Sequence, residues 1–327
     1  MCIPVRNEER FIHRTISEIQ SQDYPQDRYE IIVADGESTD KTTEIVRSIC
    51  RQHPNVLLFN NPQKRSSAGR NIGFKNGKGD LFLVVDGHCL IGNTQLFREI
   101  VNCFEKSGAQ CLGRPQPLDP PEISDFQKAL ALARESSIGH GGDSLIYSSH
   151  EGFVSPVSHG AVYKREVFEK IGYVDEAFDV CEDVDFNYRV ERAGFKAYMS
   201  PSIAIKYFPR ENLSSLWQQM LRYGKGRAQF LQKHPETFSI MGMVPAIFVA
   251  GLFLLPILGL IHSALFSLWA AACGLYLLVV AAASLKIAFR AGLPLLRYLP
   301  MIYFVIHLGL GLGFILKFLN PIFRQDW

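Results

Sequence analysis

The stretch LFLVVDGH at residues 81–88 decides the fold class of this chain. Its five consecutive apolar residues are typical of a strand that is buried on both faces of a parallel sheet. Similar runs stand at Ile31-Ile32-Val33-Ala34 and Cys2-Ile3-Pro4-Val5, and the segments between them carry apolar residues at helical spacing. This alternation predicts an α/β fold with an open, mostly parallel sheet and helices on both faces.

The composition changes near residue 235. Before it the chain is rich in carboxylates, whereas almost every residue from 240 to 319 is apolar. Apolar spans occupy roughly 240–261, 264–285 and 299–319, and each is close to the roughly 20 residues that cross a bilayer. The sequence therefore predicts an enzyme domain over 1–233 and a C-terminal membrane domain over 234–327 with about three hydrophobic helices.

Basic residues predict the orientation of the membrane domain. Lys286, Arg290 and Arg297 lie between the second and third spans, and positively charged loops stay in the cytoplasm. The catalytic domain should then face the cytoplasm from a multi-pass position in the inner (plasma) membrane. The third span carries Gly309, Gly311 and Gly313, and the sequence leaves open whether it crosses or is re-entrant.

Charge and cysteine usage exclude several classes of protein. The net charge is +2 at pH 7, which does not favour general nucleic-acid binding. The seven cysteines are scattered, with no C-x-x-C pair, and this argues against a disulfide framework or a zinc site. Residues 1–10 lack the apolar core of a cleavable signal peptide. These features favour an enzyme in a reducing compartment.

Polar residues follow three of the predicted strands directly. Asn7 and Glu8 come after the first, Asp35 after the second, and Asp86 with His88 after the third. Because ligands of open α/β sheets bind beyond the carboxyl ends of the strands, these side chains form a candidate site.

Each of these strand-end acids has two interpretations. Asp35 either stabilises a turn or accepts hydrogen bonds from a base or ribose. Asp86 and His88 either belong to an ordinary Asp-Gly turn or hold a divalent cation against a diphosphate. A carboxylate suits Mg²⁺ or Mn²⁺, and an imidazole shifts the preference towards Mn²⁺.

Acids are also concentrated in Glu182-Asp183-Val184-Asp185, just before a predicted helical stretch. Acids at a helix N-terminus are a common stabilising device. A general base needs the same placement, with a fixed carboxylate at the end of an element. The sequence leaves both interpretations open.

A predicted helix over residues 212–233 leads to the apolar region. It places Gln219, Arg222 and Tyr223 on one face, with Arg227 following. The arginines could offset charge on a diphosphate leaving group, or they could contact lipid headgroups.

Together these stretches resemble the family 2 glycosyltransferases of the nucleotide-sugar-binding GT-A fold, and within them the succinoglycan-biosynthesis type. The resemblance covers roughly residues 1–233. Seven stretches carry it in chain order: Pro4–Glu9, Asp35–Thr42, Gly69–Gly73, Val84–His88, Arg165–Gly172 followed by Asp175-Glu176, Glu182–Phe186 and Gln219–Tyr223.

The resemblance implies a role for each candidate residue. The donor nucleotide sugar would contact Pro4, Asn7, Glu8, Asp35, Arg70, Asn71 and Asp86. The metal motif would be Asp86 with His88, where His88 replaces the family's second Asp. Asp183 would be the catalytic base, with Glu182 beside it. The acceptor and diphosphate would contact Gln219, Arg222, Tyr223 and Arg227, where Tyr223 replaces the family's Trp.

The resemblance also implies the reaction. We expect an inverting, metal-dependent hexosyltransferase that uses Mn²⁺ or Mg²⁺ and moves a sugar, glucose as the first choice, from a UDP-sugar. The expected acceptor is a polyprenyl-diphosphate-linked saccharide in exopolysaccharide biosynthesis, with assembly partners in the membrane. Three alternatives stay open: a processive polysaccharide synthase, a polyprenyl-phosphate sugar transferase, and a non-catalytic nucleotide-sugar-binding scaffold.

Overall fold

The computed structural model describes residues 1–139, 145–158 and 160–319. The chain forms two compact units, neither of them continuous in sequence. The first contains the described residues of Met1–Pro120 and Ser144–Phe208, and the second those of Pro121–Asp143 and Pro209–Trp327. This division differs from the boundary expected at residue 233, which stays a prediction about where the catalytic part ends.

A parallel three-stranded sheet opens the first unit. Its strands, in spatial order, are β1 (Cys2–Val5), β2 (Ile31–Asp35) and β3 (Val56–Asn60). The helices that follow them are α1 (Ile12–Gln20), α2 (Thr42–Gln52) and α3 (Ser66–Asn76). Every residue of β2 is buried, as its unbroken apolar run requires. Val5 lies opposite Asp35, so β1 and β2 end at the same edge.

The rest of the first unit is built on shorter strands. They are β4 (Leu81–Leu83), β5 (Cys89–Leu90), β6 (Cys111–Gly113), β7 (Gly152–Val154), β8 (Gly160–Lys164), β9 (Ala197–Met199) and β10 (Lys206–Tyr207). Five form a mixed sheet in the order β4-β8-β6-β9-β7, and β5 pairs with β10. A parallel bridge between Cys2 and Val84 links β1 to the end of β4. The predicted fold class is confirmed, with antiparallel pairs added by strands too short to read from the sequence.

The remaining helices divide between the two units. Those of the first unit are α4 (Leu96–Ser107), α6 (Arg165–Ile171) and α7 (Glu182–Arg192), and α5 (Asp125–Glu135) belongs to the second. The second unit continues with α8 (Leu213–Lys233), α9 (Ile240–Gly259), α10 (Ser263–Ala291) and α11 (Leu299–Leu319). The predicted helix over 212–233 is therefore confirmed, and the Asn212 side chain caps it by accepting the Ser215 amide at 2.9 Å.

Two glycines let α3 approach β1 closely. A Cβ atom on Gly69 would lie 2.8 Å from Pro4 Cβ, and one on Gly73 would collide with Cys2 Sγ. Since real Cβ atoms do not come so close, only glycine fits at either position. The glycines thereby fix the position of Arg70, which lies between them in α3.

Helices α9, α10 and α11 are each long and apolar enough to cross a membrane. In their most apolar windows, 11% of α9 and 6% of α10 are buried inside the protein, against 44% of α11. One expectation needs correction: Lys286 and Arg290 lie in the last turns of α10 rather than in a loop. Basic residues are favourable there because they complement the negative end of the helix dipole.

Glycine also explains why α11 is more buried than its neighbours. A Cβ atom on Gly309 would lie 2.6 Å from Met220 Cβ of α8, and one on Gly313 would collide with the Leu221 carbonyl oxygen. A Cβ atom on Gly311 would collide with the Pro245 carbonyl oxygen of α9. Small residues of this kind let helix backbones pack closely in membrane proteins.

Candidate active site

Side-chain hydrogen bonds tie together the loops that follow β1 and β2. Asn7 Oδ1 accepts the Thr39 amide at 2.8 Å, and the Asn7 amide donates to Ser38 Oγ at 2.9 Å. The Glu8 amide donates to Thr42 Oγ1 at 2.7 Å. Asn7 has a φ of 57°, a left-handed conformation that asparagine tolerates better than most residues. The two loops therefore form one fixed edge of the sheet.

Asp35 ends β2 at this edge and is only 6% exposed. Its carboxylate accepts hydrogen bonds from Ser38 Oγ at 2.5 Å, from the Ser38 amide at 3.2 Å and from Thr43 Oγ1 at 3.1 Å. The turn-stabilising role is thus present in the structure. A contact with the donor base stays a prediction.

The turn after β4 carries Asp86 and His88, and Glu8 contacts it. His88 Nδ1 lies 2.8 Å from Glu8 Oε1, and the Gly87 carbonyl accepts a hydrogen bond from Thr15 Oγ1 at 2.8 Å. A Cβ atom on Gly87 would lie 2.9 Å from Glu8 Cγ. Glycine at the centre of the turn is therefore what allows the Glu8 side chain to reach the imidazole.

These residues fit a divalent cation as a partial ligand set. A carboxylate at Nδ1 favours the tautomer with its proton there, which leaves the lone pair on Nε2, as in metal-binding imidazoles. The described residues contain no group of three or more His, Cys, Asp or Glu side chains placed to hold a metal. A cation on Asp86 and His88 would therefore need further ligands from a bound substrate.

A buried arginine organises the acids of the site. Arg70 Nη2 lies 3.3 Å from Glu182 Oε1, and their side chains are 16% and 6% exposed. Burial lowers the pKa of Arg70, but surrounding negative charge raises that pKa by more, so the net shift is upward. The carboxylates that raise the pKa of Arg70 most are those of Glu182, Asp183 and Asp86. Acids from two distant segments thus act on one guanidinium.

The acids at the start of α7 have different partners. Cys181, with a φ of 63°, is the N-cap, so the acids occupy the first turn rather than the cap. Glu182 is paired with Arg70, and burial raises the pKa of Glu182. Asp185 is fully buried and lies 3.2 Å from Arg189 Nε. Asp183 is half-buried and accepts the Val184 amide at 2.9 Å.

Asn71 and Pro4, both expected near the donor, make structural contacts. Asn71 Oδ1 accepts the Val174 amide at 3.0 Å, and its Nδ2 donates to the Val174 carbonyl at 2.8 Å and to Glu176 Oε1 at 2.7 Å. Pro4 lies opposite Ala34 in the sheet. Their contact with a donor stays a prediction.

The residues expected at the acceptor lie on α8, in the second unit. Gln219 Nε2 donates to the Tyr223 hydroxyl at 3.3 Å, and Arg222 and Arg227 are exposed. Their roles toward acceptor and diphosphate stay predictions.

Sequence reasoning missed Arg114, which follows β6. Only 2% of this residue is exposed, and its Nη2 donates to the Tyr207 hydroxyl at 2.8 Å and the Val84 carbonyl at 3.3 Å. A single basic residue after a three-residue strand gives no readable signal in a sequence. Its neighbours Val84 and Tyr207 come from positions 30 and 93 residues away.

Comparison with known proteins identifies the family of the chain. Residues 1–226 match the family described as glycosyltransferase like family 2. The succinoglycan biosynthesis protein ExoA of Rhizobium meliloti (strain 1021) is 30% identical over 84% of this chain and 82% of its own length. A Methanococcus voltae protein, dolichyl N-acetyl-alpha-D-glucosaminyl phosphate 3-beta-D-2,3-diacetamido-2,3-dideoxy-beta-D-glucuronosyltransferase, is 26% identical over 96% of this chain and 95% of its own length.

A solved structure shares the fold. The mannosyltransferase PcManGT from Pyrobaculum calidifontis, in complex with GDP-Man and Mn²⁺, has a TM-score of 0.58 at 16% identity, over 99% of this chain and 86% of that chain. At this identity the likeness shows the GT-A fold alone. With the family match over residues 1–226 and the relative at 30% identity, the chain belongs to the family 2 glycosyltransferases.

Proposed function

We propose that this glycosyltransferase is membrane-anchored and inverting, and that it transfers a hexose from a UDP-hexose to a polyprenyl-diphosphate-linked saccharide. The observation that carries the proposal is the buried ion pair between Arg70 Nη2 and Glu182 Oε1 at 3.3 Å, with Asp183 and Asp86 also raising the pKa of Arg70. Charged groups held in a buried setting act strongly on reacting groups, because little water screens them.

Asp183 is the residue we assign as general base. Glu182 and Asp185, its neighbours in the first turn of α7, are each paired with an arginine. Asp183 Oδ1 accepts a hydrogen bond from the adjacent Val184 amide. Its carboxylate keeps lone pairs for an acceptor hydroxyl, which would lose its proton as its oxygen attacks the anomeric carbon. One displacement of this kind turns an α-linked donor into a β-linked product.

The charge of the site is the reason to propose a divalent cation. Ionised Asp86, Glu182 and Asp183 would carry three negative charges, against one positive charge each on Arg70 and Arg114, and a nucleoside diphosphate adds more negative charge. Mn²⁺ or Mg²⁺ held by Asp86 and His88 would stabilise the charge that develops on the leaving diphosphate. The shared fold with PcManGT, whose complex contains Mn²⁺, supports this assignment.

The apolar helices are the reason to propose a lipid-linked acceptor. Three helices long and apolar enough to span a bilayer would keep the enzyme where such an acceptor resides. The name of the M. voltae relative specifies a dolichyl-linked phosphate sugar, and that of ExoA specifies succinoglycan biosynthesis. We place the basic residues Lys286, Arg290 and Arg297 and the catalytic unit on the cytoplasmic side, following the positive-inside rule.

The test is transfer of radiolabel from UDP-glucose into lipid that organic solvent extracts. Membranes containing the wild-type chain are compared with Asp86→Asn membranes, each with Mn²⁺ or with EDTA, and UDP-N-acetylglucosamine and UDP-glucuronic acid are tried as further donors. The proposal predicts lipid label that requires both Asp86 and the metal. Label in a long polymer would indicate a processive synthase, and label on polyprenyl phosphate itself a lipid-phosphate sugar transferase. Absence of label with every donor in acceptor-replete membranes would contradict the proposal.

A further inference from the structure

Arg114 is a buried positive charge without a carboxylate in hydrogen-bond contact among the described residues. One of its nitrogens, Nη2, bonds to the Tyr207 hydroxyl and the Val84 carbonyl. Its Nε and Nη1 atoms have no hydrogen-bond partner in the described part of the chain. A buried charge so incompletely paired is costly, and an apolar side chain of similar size would serve packing better. The fold alone therefore gives little reason for an arginine here.

The two partners of Arg114 lie on both sides of the turn that carries Asp86 and His88. Val84 precedes the turn, and Tyr207 in β10 lies opposite Cys89, the residue that follows it. The Tyr207 ring also meets the His88 ring edge to face, with centroids 6.3 Å apart. The Arg114 guanidinium thus connects Val84, just before the turn, to β10, the strand that pairs with the residues just after it.

Electrostatics links the same guanidinium to the turn. Burial lowers the pKa of Arg114, but the combined effect of Tyr207, Cys89 and Asp86 raises that pKa by more. Asp86 is the carboxylate in this set, which agrees with the geometric link between Arg114 and the turn.

We propose that Arg114 is a positioning residue for the donor site, which together with Tyr207 holds the turn of residues 84–89 in place. This inference rests on the proposed function, because the turn matters if Asp86 and His88 bind the metal and diphosphate. Arg114 acts through these residues and does not itself contact substrate.

The experiment uses the full chain in detergent micelles and three variants of the clamp, which is the contact of Arg114 and Tyr207 with the turn of residues 84–89. Arg114→Met removes the charge, Arg114→Lys keeps it without the planar fork, and Tyr207→Phe removes one hydroxyl. The matched control is Arg165→Met, since Arg165 also bonds backbone carbonyls, those of Gly77 and Gly79, at 3.0 and 2.6 Å. Mn²⁺ binding in the presence of UDP is followed by electron paramagnetic resonance, and amide hydrogen exchange is measured for residues 84–91.

We expect Arg114→Met to weaken Mn²⁺ binding by about tenfold or more, the usual scale for residues that orient metal ligands. Exchange at 84–91 should quicken, Tyr207→Phe and Arg114→Lys should show smaller effects of the same sign, and Arg165→Met should leave Mn²⁺ binding unchanged. Wild-type Mn²⁺ affinity in folded Arg114→Met would overturn the proposal, as would an equal loss in Arg165→Met.

Failure of the proposed function has a different signature. If the wild-type chain binds neither Mn²⁺ nor UDP, the metal-dependent transferase is contradicted, and the clamp is judged by exchange alone. Faster exchange at 84–91 in Arg114→Met than in Arg165→Met would then support the clamp, and equal exchange would overturn it. If Arg114→Met does not fold, Tyr207→Phe and Arg114→Lys decide by the same criteria.

Discussion

The two units of this chain place charge and apolar surface in opposite ways. The first buries ionisable groups, with Glu182 5% exposed and Arg114 2% exposed. The second exposes large apolar side chains, among them Leu278 at 70% and Phe289 at 75%. Large apolar patches of this kind mark surfaces that meet lipid or partners, whereas ionisable groups with shifted pKa values cluster at functional sites, although structural ion pairs shift them as well. The difference supports the proposal that the first unit carries the chemistry and that the second is anchored in a membrane.

The second unit contains a similar contrast on a smaller scale. Helix α11 is buried where its glycines meet α8 and α9, whereas α9 and α10 expose most of their apolar surface. Lipid-facing helices need apolar side chains, but helices that pack on one another need close backbone approach.

The largest effect is expected from removing the proposed base. Asp183→Asn should lower turnover about a thousandfold, within the range for general base catalysis, and leave UDP affinity nearly unchanged. The matched control is Asp185→Asn, which breaks the buried pair with Arg189. It should lower the melting temperature while each folded molecule keeps near-normal turnover. Steady-state rates and UDP titrations on both variants decide, and equal loss of rate and binding in Asp183→Asn would contradict the assignment.

The glycine contacts predict the next effect. A Cβ atom on Gly224 would collide with the Leu310 carbonyl oxygen of α11, whereas one on Gly274 of α10 would meet nothing within 4 Å. Gly224→Ala should therefore destabilise the second unit by about 1–3 kcal/mol through overpacking. Gly274→Ala should be neutral or slightly stabilising, because alanine favours helix. Thermal unfolding in detergent measures both, and equal melting temperatures would refute the close packing of α8 on α11.

Much of this molecule could be predicted from its sequence, for identifiable reasons. Strand β2 and the three apolar helices are continuous apolar runs, and such runs are readable without knowing their neighbours. Glu8 is different, because its contact with His88 joins residues 80 positions apart. The segment of α5 was also missed, since nothing in its sequence indicates that it groups with the apolar helices. Both features depend on residues that are close in space but distant in the sequence, so the sequence alone could not show them.

The two interpretations of Asp35 predict a smaller effect. If Asp35 contacts the donor base, Asp35→Asn should weaken UDP binding about tenfold, equivalent to about 1.4 kcal/mol. Thr43→Val removes one hydrogen bond to the same carboxylate and should cost about 1 kcal/mol of stability with little change in UDP affinity. Isothermal titration with UDP separates the two. Unaltered UDP affinity in Asp35→Asn would mean that Asp35 stabilises the turn and does not contact the donor base.

A last effect appears only at alkaline pH and concerns the interior of the first unit. Burial raises the pKa of the Cys2 thiol from 9.0 to about 11. Between these values the unfolded chain loses the proton while the folded chain keeps it, so stability falls as pH rises. The expected loss is about 2–3 kcal/mol, measured by denaturant unfolding at a series of pH values. Cys2→Ala should not show this loss of unfolding free energy at alkaline pH. If that variant loses as much stability with rising pH as the wild type does, the assignment to Cys2 is refuted.

The central claim is a single displacement of a sugar, assisted by Asp183 at the start of α7. The measurement that tests it most directly is the anomeric configuration of the new linkage, determined by nuclear magnetic resonance on product made from an α-linked UDP-hexose. The account predicts a β linkage. An α linkage would mean that the configuration is retained, and would contradict a single displacement with Asp183 as its base.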